Sequence, residues 1–97
     1  MTNITKVSDI TVSDLAEYLR LVEYSTDTNT LSTLLNVAKT FITAYTGQED
    51  LDAFTDFVIV VFVLVQDMWD NRVLYVDKSN LNKVVETILG LHQVNLL

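Results

Sequence analysis

The chain contains no cysteine, no proline, one histidine and only two glycines among its 97 residues. Without cysteine there is no disulfide framework, no thiolate metal site and no thiol nucleophile, so stability has to come from packing. The widely separated Gly47 and Gly90 cannot build a loop that cradles phosphate, which argues against nucleotide hydrolysis. His92 has no cysteine or second histidine to complete a metal site or a triad, and past a predicted helix end it reads as a surface residue. Basic residues are scarce too: six Lys and Arg against thirteen Asp and Glu leave a net charge of −7. Lys6, Arg20, Lys39, Arg72, Lys78 and Lys83 are scattered rather than striped, so the chain is not built to grip DNA phosphates.

What is present is apolar material, 49% of the residues. That suffices for one compact domain over residues 1–97, since a second core would have too little to bury. A chain of this size buries roughly two-thirds of its unfolded surface, a thin margin that self-association would widen. The start, MTNITKVSDITVSD, lacks the basic and apolar regions of a signal peptide, giving an expectation of cytosolic synthesis.

The longest hydrophobic run is FVIVVFVLV, from Phe57 to Val65. As a helix it reaches about 14 Å, well short of a bilayer core of about 30 Å. As a membrane strand it lacks the required alternation of polar residues. Six of its nine residues are β-branched and favour a strand locally. The flanks reverse that preference, because Leu51, Phe54, Val58, Val61, Val65 and Met68 recur at intervals of three and four with no Gly or Pro between. The β-branched residues cost roughly 3 kcal/mol of helix propensity, whereas burying nine large side chains contributes roughly 15 to 25 kcal/mol gross. The reading is a central helix over about 51–70, with a middle apolar on every side.

Around it the sequence predicts an all-α, four-helix domain. A short N-terminal helix starts at Thr11, with Asp14 completing a capping box and Leu15, Tyr18, Leu19 and Val22 on one face, and ends near Glu23. The polar stretch STDTNT is a connector in which Asp27 or Thr28 caps the next helix. That helix, about 29–46, carries Leu31, Leu34, Leu35, Ala38, Phe41, Ile42 and Tyr45 on one stripe, with Gly47 as its left-handed cap. After the irregular link NRVLYVDKSN, a C-terminal helix of about 80–90 carries Leu81, Val84, Val85, Ile88 and Leu89 and closes at Gly90.

Nothing in the sequence looks catalytic, and no cofactor is expected. Glu49, Asp50, Asp52 and Asp56 cluster near a predicted helix start, where the helix dipole favours negative charge. Asp27-Thr28-Asn29 opens like a calcium loop, but Leu31, Ser32 and Ala38 stand where an oxygen ligand, a glycine and a bidentate glutamate are needed. Apolar residues in two unusual places point to binding: Val73, Leu74, Tyr75 and Val76 in the link, and Leu91, Val94, Leu96 and Leu97 in the tail. Each group either folds over its own core or docks on a neighbouring subunit or another protein. Arg72 likewise has two readings, a cation at the negative end of a helix dipole or one half of an intersubunit ion pair.

The order of landmarks is also informative: the capped helix ITVSDLAEYLRL, a polar connector, a helix closing in AYTG, an acidic start to an apolar helix, WDNR at its end, and a last helix. Over residues 8 to about 92 this resembles the small head-to-tail connector, or adaptor, proteins of long-tailed phages. Tyr45-Thr46-Gly47 and Trp69-Asp70-Asn71-Arg72 carry the closest matches. The resemblance implies a non-enzymatic virion subunit, assembled in the host cytoplasm into a ring of about twelve copies. Such a ring docks under the portal after DNA packaging and meets a stopper or tail-completion protein below. DNA passes through its channel without specific binding, and no membrane is involved. It also implies that the C-terminal part helps to dock on the portal, although LHQVNLL stands here where many members have an arginine-bearing segment. Trp69, Arg72, Leu74, Tyr75, Leu91, Val94, Leu96 and Leu97 are the expected subunit or portal interface. The alternative is a small helical phage-encoded regulator that binds another protein.

Overall fold

A computed structural model describes residues 4–19 and 28–94. Among these residues there are four α-helices and no strand, the all-α four-helix architecture expected: α1 (Val12–Tyr18), α2 (Thr28–Thr46), α3 (Phe57–Asn71) and α4 (Lys83–Leu91). Short 3-10 turns lie before α1 at Val7–Asp9, between α2 and α3 at Leu51–Ala53, and between α3 and α4 at Lys78–Asn80.

Local chemistry sets the boundaries. Thr11 and Asp14 form the predicted capping box, each side chain accepting from the other's backbone N–H. The described helix ends at Tyr18; Val22, Glu23 and the expected cap Asp27 lie outside the described residues. α2 closes as foreseen. Buried Thr46 donates its hydroxyl to the Ile42 carbonyl and accepts from the Gln48 amide, and Gly47 takes a left-handed φ of 75°.

Two predicted starts need correction. The central helix begins at Phe57 rather than 51, because the Asp50 carboxylate accepts from the Asp52 amide and closes a separate 3-10 turn. Phe54 then adopts an extended conformation (φ −127°, ψ 111°), which breaks the stripe drawn through Leu51 and Phe54. The last helix begins at Lys83 rather than 80, where Asn82 caps through the Val84 amide, while Asp77 caps the 3-10 turn before it. It also runs through Gly90 to Leu91 instead of closing at the glycine.

α3 is the centre of the packing and touches α1, α2 and α4. Phe57, Val58, Val60, Val61, Phe62, Leu64, Val65 and Met68 are all buried, joined by Leu31, Leu34, Leu35, Ala38 and Ile42 of α2 and by Val85 and Leu89 of α4. The Tyr18 ring of α1 lies 4.9 Å from that of Phe62. Burial at about 1.5–3 kcal/mol for each large side chain explains why this β-branched run is helical. One strip of it is not covered: Ile59 is 50% exposed, and Val63, one turn on, is only partly buried.

Candidate interaction surface

The expected interface residues fall into two groups at opposite ends of α3, a helix about 22 Å long. The first group surrounds the α3–α4 link. Arg72 ends α3 in the left-handed conformation (φ 57°, ψ 40°), the only non-glycine residue with positive φ among those described. Its amide N–H still reaches the Met68 and Trp69 carbonyls, and its guanidinium sits 5.7 Å from the Trp69 ring centroid. The left-handed turn reverses the chain and sends Val73 and Val76 inward against the core. Leu74 and Tyr75 are left outward, 59% and 62% exposed.

Folding over its own core, one of the two readings of the link, therefore holds for Val73 and Val76 and not for Leu74 and Tyr75. Leu74 and Tyr75 form a ridge with a groove on either side. One groove, about 410 Å³, is walled by Val37 and Phe41 of α2 and by Leu74, Tyr75 and Val76. The other brings Trp69, Arg72 and Leu74 together with Thr30 and Leu34 of α2 in about 220 Å³. Behind the ridge Asp67 lines a third cleft; burial, and then the neighbouring Asp70, push its carboxyl above the ordinary carboxylate range.

The second group lies at the far end. Leu91 is 74% exposed on the last turn of α4. Val94 is partly exposed and anchored by its backbone, its amide donating to the Thr46 carbonyl at 2.7 Å, with its Cβ 3.3 Å from where a side chain on Gly47 would stand. Leu96 and Leu97 lie outside the described residues.

Between α4 and Val94 sits a feature that the sequence reading misses. His92 is not a surface bystander. Its ring stacks 4.1 Å from Phe54 and meets Phe57 edge-on at 5.2 Å, and its Nε2 lies 2.9 and 3.1 Å from the two Asp56 carboxylate oxygens. Nε2 facing a carboxylate must carry the hydrogen and donate it. Gln48 Nε2 donates to the His92 carbonyl at 2.8 Å. Together these contacts clasp residues 92–94 to the corner between α2 and α3. The available signal was topological: a short α3–α4 link makes the helices antiparallel, which brings residue 92 back to residue 56.

In the acidic cluster only Asp56 adjoins α3, as its N-cap, where the helix dipole favours its charge, and Asp50 and Asp52 have partners of their own. Asp50 caps its own turn, Asp56 receives His92, and Asp52 accepts both the amide and the hydroxyl of Ser8. The Ser8 bonds hold the Asp52 carboxyl below the ordinary range. No group of three or more metal-ligating side chains forms among the described residues, and no helix there is long and apolar enough to cross a membrane.

Comparison with known proteins adds nothing to this geometry, since no family model, curated protein or solved structure matches the chain.

Proposed function

We propose that the chain is a structural virion subunit of a phage head-to-tail connector. About twelve copies form a ring that sits between the portal and the stopper or tail-completion protein and extends the DNA channel after packaging. It performs no catalysis and needs no cofactor. Assembly takes place in the host cytoplasm.

The observation that carries the reading is the exposed Leu74–Tyr75 ridge, held out by a left-handed turn rather than hanging from a loose loop. Large apolar side chains in a fixed, outward geometry are surface kept for another protein. A second exposed site, at Leu91, lies at the opposite end of α3, which suits a subunit that touches different neighbours at its two ends. The charge of −7 suits a channel through which DNA slides. The direct test is co-sedimentation with portal rings from the same genome. The wild-type chain is expected in the portal fraction, with the Leu74→Asp/Tyr75→Asp variant folded but reduced at least about tenfold there, as loss of a central apolar anchor requires. Absence of the wild-type chain from every portal fraction overturns the reading.

The same ridge would serve a small helical regulator that captures another protein. Gene position separates the two, because a connector gene lies just after those for portal and capsid.

A further inference from the structure

On the inner side of the ridge, α3, the link and the turn at Lys78–Asn80 enclose a cleft of about 200 Å³. Its floor is apolar: Leu64 and Met68 are buried, Val73 and Leu81 are partly buried around them, and Tyr75 stands exposed at the lip. Asp67 and Asp77 line its walls, and Asp70 is close enough to raise the Asp67 carboxyl. Among the described residues no cation answers these charges. The two basic side chains of this stretch are placed elsewhere, Arg72 over Trp69 and Lys78 at 5.5 Å over Tyr45. Among the described residues none of the three acids is ion-paired, and Asp77 uses its oxygens to accept from the Ser79 amide and from Asn80 Nδ2.

We propose that this cleft docks a basic, amphipathic segment of a partner protein, with one Arg or Lys between Asp67 and Asp77 and an aliphatic neighbour on the Met68 floor. The apolar floor supplies contact area, and the carboxylates choose the sign of what enters. Arginine fits best, because its planar fork of donors can serve both acids while its stem covers Met68. A second copy of the chain would bring its own excess of acid to the face, so charge complementarity favours a partner richer in Lys and Arg. The proposal holds whether or not the chain is a ring subunit.

The test follows backbone amide shifts of the isotope-labelled chain as a short Leu-Arg repeat peptide is added, beside its Leu-Glu counterpart. The Leu-Arg peptide should shift amides around Asp67, Val73, Asp77 and Leu81, and the Leu-Glu peptide should not. Asp67→Asn with Asp77→Asn should weaken binding about fivefold or more, while Asp9→Asn with Glu49→Gln, which removes the same charge elsewhere, should leave it nearly unchanged. Equal weakening by both pairs, shifts centred elsewhere or no binding overturns the proposal. So does dimerisation of the chain through this face, which would make the occupant a second copy.

Discussion

Arg72 holds a conformation that L-residues avoid at a cost of about 1–2 kcal/mol, and it does so where the chain must reverse after α3. Arg72→Gly should therefore be more stable than Arg72→Ala by about 1 kcal/mol, since both delete the Trp69 contact and only glycine relieves the backbone; denaturant melts of the two variants measure the difference. His92→Ala should lower stability by about 1–2 kcal/mol through lost ring stacking and the Asp56 bond. The Val94 amide, protected in the wild type by Thr46, should then exchange faster with solvent. Two carboxyls should give opposite pH signatures. The raised Asp67 binds its proton more tightly folded than unfolded, so its contribution is full below the ordinary value of 3.8 and is lost as pH rises through the raised value. The lowered Asp52 contributes above 3.8, and that is lost as pH falls through its lowered value. Asp67→Asn should thus stabilise at neutral pH, by a difference that shrinks as pH falls toward 3.8, whereas Ser8→Ala should destabilise there, by a difference that shrinks only as pH falls below 3.8, in melts across pH.

The helices were legible wherever one face had to be buried. The α2 stripe is read correctly from spacing alone, with Leu31, Leu34, Leu35, Ala38 and Ile42 all buried. Their starts were harder, because Asp50, Asp77 and Asn82 offer the backbone short turns that compete with another turn of helix. Hydrophobic spacing does not register that competition. Periodicity was equally blind to the exposed edge of α3, since Ile59 and its buried neighbours look alike in sequence. A pair of substitutions separates them. Val61→Asp places a charge where there is no exposure and should abolish soluble folding, at a cost of several kcal/mol against a total of roughly 5–10 for a chain of this size. Ile59→Asp should stay soluble and melt within about 1 kcal/mol of wild type. Soluble yield and thermal melts report both.

Across the whole molecule, the interface residues chosen from sequence divide by what each neighbour already occupies. Leu74, Tyr75 and Leu91 are exposed rather than folded over the core, Trp69 is partly buried beneath Arg72, and Val94 is held mainly by its backbone. The clasp of His92 on Asp56, Phe54 and Phe57 was hidden because it joins positions 36 residues apart with no local pattern. It closes the end of α4 onto the corner between α2 and α3, leaving the ridge and Leu91 as fixed apolar features on an acidic body. Those features underlie the connector reading, and electron microscopy of the purified chain mixed with portal rings from the same genome tests it most directly. The account predicts a ring of added density on one face of the portal, lost with Leu74→Asp/Tyr75→Asp; portal rings that stay bare at saturating wild-type chain would contradict it.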